Sequence, residues 1–292
     1  MNTRSSRTLR KIRFPAVAGS FYSSSKPDLI KQIEYCFKSK IGPGIIPEVN
    51  RNGGRKIIGI ISPHAGYMYS GPVAAHGFSA LATDGEPETF IIIGPNHTGY
   101  GSGISIMMSG VWRTPLGDIE VNSEISRLIV EKSSIIDIDD EAHIYEHSIE
   151  VQVPFLQYIY GNDFKIVPIV MMLQGLRESI EIGKVLGEIC RNKNIVIIAS
   201  SDFTHYEPYW TACEKDEKAI KMILELNQEA FYNVINTLNI SVCGPGPIMA
   251  LITAVKAIES SKAVLLKYAN SGDITGDYSS VVGYASVAMY KY

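Results

Sequence analysis

Five short runs of the chain are almost wholly apolar: KIIGIIS (56–62), TFIIIG (89–94), FKIVPIVM (164–171), NIVIIAS (194–200) and AVLLKYA (263–269). They are rich in Ile and Val and bounded by Gly, Pro, Ser or Asn. Continuous rather than alternating apolarity predicts strands covered on both faces, as in a parallel sheet. Helical patterns lie before and between them, at 26–40, 71–82, 123–133, 148–161, 176–193, 214–227 and 246–260. Strand and helix in alternation predict an α/β fold, a mainly parallel central sheet with helices on both faces. The closing stretch SVVGYASVAMYKY (280–292) does alternate, and reads as a last strand, antiparallel and at an edge. No linker or composition break interrupts this pattern, so the chain reads as one domain.

Composition narrows the function classes. Hydrophobic residues make up 46% of the 292 and charged residues 20%, with a formal net charge of −3. That suits a globular chain with a sizeable core. The one basic run, TRSSRTLRKIR, reads as a solvated N-terminal tail over residues 1–13, and extensive nucleic-acid contact needs a larger basic face. No apolar run is long enough to span a bilayer, and no signal-like core follows the first residues. The expected location is cytoplasmic, and the four scattered cysteines (Cys36, Cys190, Cys213, Cys243) are then expected as free thiols.

In open α/β sheets ligands bind beyond the carboxyl ends of the strands. Three predicted strands run into a histidine there: His64 after IIGIIS, His97 after FIIIG, and His205 after IVIIASSDFT. Parallel strands would deliver all three to one rim, which makes them candidates for a shared site. Cys243, in SVCGPGPIMALITAV, stands just before a predicted helix, where free backbone amides would lower a thiol's pKa and favour the metal-binding thiolate. His143 and His147 are four apart, a spacing that can put two imidazoles on one helix face, although no H-E-x-x-H pattern is present. His147 is a candidate for the pocket wall. SGDITGDYSS (271–280) reads as two turns in series, from which Asp273 and Asp277 could orient histidines. The glycines at 99, 101 and 103 do not have the dinucleotide spacing, and no phosphate-binding G-x-x-x-x-G-K-[ST] loop occurs, so no nucleotide cofactor is expected.

Taken together, the phrases PAVAGSFY, SPHAGYMYSGPVAAH, GPNHTG, TPLGDIEVN, EHSIEVQVPFLQ, SSDFTHY, CGPGPI and SGDITGDYSSVVGYAS resemble the Memo family over nearly the whole chain from Phe14. The resemblance implies a single Memo-like domain over 14–292, built as the three-layer sandwich of the ring-opening extradiol dioxygenases that use non-haem ferrous iron. It implies a metal site of His64, His97 and Cys243, with His205 as acid/base and Asp202 beside it to orient it. Divalent iron and copper(I) are the implied metals, and zinc fits the same residue types. Cys243 stands where the dioxygenases carry a carboxylate, and a thiolate is a softer ligand. The family's eukaryotic member is associated with phosphotyrosine-peptide binding, and its peptide-binding tryptophan is similar in position to Phe21. The resemblance thus carries two expectations, a metal-dependent redox enzyme acting on a small molecule and a non-catalytic metal- or peptide-binding protein.

Overall fold

The computed structural model describes residues 11–258 and 261–292. Its strands are β1 (Ile12–Arg13), β2 (Ile57–Ser62), β3 (Thr89–Pro95), β4 (Ile104–Ile106), β5 (Val111–Thr114), β6 (Gly117–Val121), β7 (Asp137–Ile138), β8 (Lys165–Met171), β9 (Ile195–Ser200), β10 (His205–Glu207), β11 (Ser261–Asn270) and β12 (Val281–Lys291). Its helices are α1 (Lys26–Lys38), α2 (Gly71–Asp84), α3 (Ser123–Lys132), α4 (Glu141–Ile144), α5 (Val153–Tyr160), α6 (Leu176–Cys190), α7 (Tyr209–Leu224), α8 (Gln228–Thr237), α9 (Pro245–Ile258) and α10 (Gly272–Thr275). One mixed sheet runs in the order β1-β5-β6-β8-β3-β9-β2-β12-β10. At its centre β8, β3, β9 and β2 are parallel neighbours.

The side-chain alternation along these central strands explains why their sequences look continuous. Phe90, Ile92, Val196 and Ile198 enter the core under α1, α2 and α5. Their neighbours Ile91, Ile93, Ile197 and Ala199 enter the opposite core, under α3, α6, α7, α8 and α9. With both faces buried, the middle of each strand is apolar on both sides, and polar residues such as Thr89, Ser62 and Ser200 stand at the strand ends. The layers are close-packed: a Cβ added at Gly183 on α6 would lie 2.5 Å from the Ala250 carbonyl oxygen of α9. Gly183→Ala should therefore push α6 off α9 and cost roughly 1–3 kcal/mol, read as a lower urea midpoint with an unchanged slope.

Several expectations are corrected. β12 is antiparallel but not an edge: it pairs β2, β10 and β11. β11 returns outside it as a hairpin, so the apolar run at 263–269 is the outer strand and is largely exposed over its first half. Residues 11–13 are not a tail. Ile12 and Arg13 pair with β5, and the Arg13 side chain is buried, whereas residues 1–10 lie outside those described. The helix expected over 148–161 begins only at Glu150, as a 3-10 turn that leads into α5. The expected turns at 271–280 contain the short helix α10, closed by Gly276 in the left-handed region. No helix among the described residues is long and apolar enough to cross a membrane.

Candidate metal centre

β2, β3 and β9 are parallel, so their carboxyl ends share a rim, and there lies a cavity of about 560 Å³. His64 follows β2, His97 follows β3, and Asp202 and His205 follow β9; all four line the cavity, as do His147 and Phe21. The His97 ring stacks on His147 with centroids 4.5 Å apart, and both stand edge-on to His64, at 5.1 and 5.5 Å. Phe21 closes against His147 at 4.7 Å. Cys243 does not line the cavity but packs against His64, Sγ to Nε2 3.1 Å.

Possible ligand atoms form two groups among the described residues, His64/His97/His147 and His64/Asp202/Cys243, each with all atoms within 4.8 Å of one another. The set His64, His97 and Cys243 is divided between them, with His64 common to both. Two donors on one tetrahedral ion sit about 3.3 Å apart, so either group is close to the spacing an ion requires.

The hydrogen bonds behind the imidazoles fix which nitrogen carries the proton. Ser200 Oγ gives its one proton to the Ser148 carbonyl, at 2.6 Å, and accepts from Gln152 Nε2. It can therefore only accept from His64 Nδ1, at 2.9 Å. His97 Nδ1 donates to the Glu146 carboxylate, 2.9 Å away, and His205 Nδ1 donates to the Ser241 carbonyl, 2.8 Å away. In the neutral form of each ring Nε2 is then the lone-pair atom, the form a metal ligand or general base needs. Burial, reinforced by the neighbouring histidines, holds His64 well below the usual histidine range, and burial brings His147 down to about 4. Both are neutral at pH 7.

Four expectations fail in the structure. Asp202 does not orient His205: its carboxylate accepts the His64 backbone N–H at 2.8 Å, and Ser241 holds His205. Burial raises Asp202 to about 6. The Cys243 thiol is raised rather than lowered, by burial and then by the charge of Asp202. The amides ahead of α9 are occupied, Gly244 N–H on Ser201 Oγ and Gly246 N–H on Gln174 Oε1, so they offer the sulfur little. Asp273 lies outside the cavity wall, its carboxylate accepting the Asn270 N–H of its own turn, whereas Asp277 does line the cavity. His143 and His147 share no helix face, because α4 ends at Ile144; His143 is buried edge-on to Trp112 instead. Glu146, Gln152 and Ser200 stand within the phrases EHSIEVQVPFLQ and SSDFTHY, but their roles, like that of Ser241, show only in their partners. Glu146 is fully buried. Burial opposes its charge, but the bond and nearby charge of His97 hold the carboxyl at about 2.

Residues 13–288 match the family model described as Memo-like protein. A MEMO1 family protein of Methanopyrus kandleri is 49% identical over 281 residues, covering 96% of this chain and 99% of its own. One of Sulfurisphaera tokodaii is 50% identical over 280 residues, covering 94% and 98%. Among solved structures, an uncharacterized protein of Escherichia coli K12 shares the fold at a TM-score of 0.55 and 14% identity, over 80% of this chain and 99% of that one. With matches that run essentially from end to end, the chain belongs to the Memo family.

Proposed function

We propose that this protein holds a redox-active transition-metal ion, divalent iron or copper(I), in the His/Cys cluster around His64, and acts with it on a small molecule bound in the adjoining cavity. The observation that carries the reading is the common geometry of His64, His97 and His205: Nδ1 of each ring faces a hydrogen-bond acceptor, which in the neutral ring leaves the Nε2 lone pair for a ligand. His64, His97 and Cys243 or His147 would hold the ion, which would supply electron transfer and a coordination position for a substrate oxygen. Zinc suits the same donors. His205, held by Ser241 and lining the cavity, accepts a proton from the bound ligand through Nε2. Phe21 and Tyr69 give that ligand apolar walls.

The peptide-binding alternative has less support. Among the described residues the cavity wall contains no Lys or Arg, but it does contain Asp202 and Asp277. Phosphate recognition rests on cationic donors, so a phosphorylated peptide would meet a wall of the wrong sign.

Titration of the purified protein with ferrous ion under anaerobic conditions, or with zinc as a redox-silent probe, tests the metal reading. The double variant His64→Ala/Cys243→Ala should lose at least about 100-fold in affinity, in line with the removal of two donors. Unchanged affinity would refute the site. With iron bound, a panel of uncharged catechols should give the ring-opened absorbance if the oxygen chemistry of the related dioxygenases is retained.

A further inference from the structure

We propose that Glu146 is a positioning residue that fixes His97 in its metal-ready form, by holding Nδ1–H and the backbone on either side of the site at once. The consequence for metal affinity rests on the proposed function; the assignment of the His97 proton does not. The Glu146 side chain is fully buried, and four N–H groups converge on it. Oε2 accepts the His97 backbone N–H at 2.5 Å, and Oε1 accepts His97 Nδ1–H at 2.9 Å. Oε1 also accepts the backbone N–H groups of His147, at 2.9 Å, and Ser148, at 2.8 Å. Behind it, Arg13 Nη2 donates to the Glu146 carbonyl at 2.6 Å.

Oε1 already accepts two backbone N–H groups, so His97 Nδ1 faces an acceptor and donates to it, and in the neutral ring Nε2 then carries the lone pair. The same oxygen ties the His147 amide to the His97 ring, which sets the two imidazoles in their 4.5 Å stack. Carboxylate–histidine pairs behind a metal change affinity by about 10–100-fold when broken. Glutamine at this position retains an oxygen for the three donors on the Oε1 side, though it turns an NH2 toward the His97 amide and removes the charge. Alanine removes every acceptor and leaves the ring free to take either tautomer.

Nitrogen-15 histidine labelling reads the proton directly, with the His97 signals assigned by their loss in His97→Gln. In the metal-free protein His97 should be protonated at Nδ1 and bare at Nε2. Glu146→Gln should keep that pattern and lose only a few-fold in zinc affinity. Glu146→Ala should populate the Nε2-protonated form and lose about 10–100-fold. A wild-type spectrum with the proton on Nε2 overturns the proposal even if neither variant folds. So does folded Glu146→Ala with unchanged affinity and an unchanged tautomer. If the wild type binds no metal, the proposed function fails, and the spectrum still decides the role of Glu146.

Discussion

Arg13→Ala should destabilise the protein by about 3–5 kcal/mol, the cost of leaving a buried carboxylate without its cation. The side chains of Arg13 and Glu150 are 3% and 1% exposed and form an ion pair through Nη1 and Oε2. The pair is saturated on both sides. Arg13 Nε donates to the His143 carbonyl at 2.9 Å and Nη2 to that of Glu146, while its guanidinium lies 4.4 Å from the Trp112 ring centre. Glu150 also accepts the N–H groups of Ala16 and Val17 and the Tyr22 hydroxyl. Removing the arginine strands one charge and two carbonyls in a space closed to water. The double variant Arg13→Met/Glu150→Gln removes both charges and should recover a large part of the loss. Denaturant midpoints of the four proteins in that cycle give the coupling directly, and additive losses would mean that the pair does not interact. Because Arg13 anchors the carbonyl of Glu146, the single variant should also bind metal more weakly than its stability alone explains.

That a residue so near the N-terminus ties down the segment beside the candidate site could not be read from its local sequence. TRSSRTLRKIR looks like a basic tail, and nothing in it distinguishes Arg13 from its neighbours. The partner that buries it, Glu150, lies 137 positions away. The central strands were legible for the opposite reason. β2, β3, β8 and β9 are buried on both faces, so a local property, unbroken apolarity, reports a global one. β11 has the same local signature, yet it is the outer arm of a hairpin, and composition does not say how many neighbours a strand has. β5 and β6 were missed because VWRT and GDIEV are short and mix charge with apolar residues, and α8 because its caps, Asn227 and the turn beyond Thr237, interrupt no obvious pattern.

The site divides in the same way. His64, His97 and His205 were visible because they end strands, and parallel strands end together. Their acceptors, Ser200, Glu146 and Ser241, come from three different segments and have ordinary residue types. Orientation of His205 by Asp202 was a reasonable expectation from adjacency. In the fold the Asp202 carboxylate turns to the His64 amide, since that buried N–H would otherwise be unsatisfied. Cys243 shows the limit of a rule about helix ends: the rule supposes free amides, and side chains from Ser201 and Gln174 already occupy them.

Acid should unfold the protein through His143, and the sign follows from its surroundings. The ring is fully buried and neither nitrogen has a hydrogen-bond partner. Burial, and then the nearby charge of Arg13, depress its pKa to about 3, although Asp139 and Glu146 pull the other way. The folded protein therefore keeps His143 neutral, whereas the unfolded chain takes up a proton below about 6.5. Stability from this group is complete above that pH and is lost as pH falls from 6.5 toward 3, by roughly 2–3 kcal/mol at pH 4.5. Asp202 and Asp216, both raised to about 6, act in the opposite sense, because the fold binds their protons earlier than the unfolded chain does. The total curve mixes these terms, but the difference between wild type and His143→Leu cancels them. Relative to the variant, wild type should lose about 2–3 kcal/mol between pH 7 and pH 4.5 in urea unfolding. Parallel curves would mean that the ring is not held neutral. The His143 carbonyl is also one of the three groups that hold Arg13, so the corner that excludes the proton is the one that anchors Glu146 beneath the candidate site.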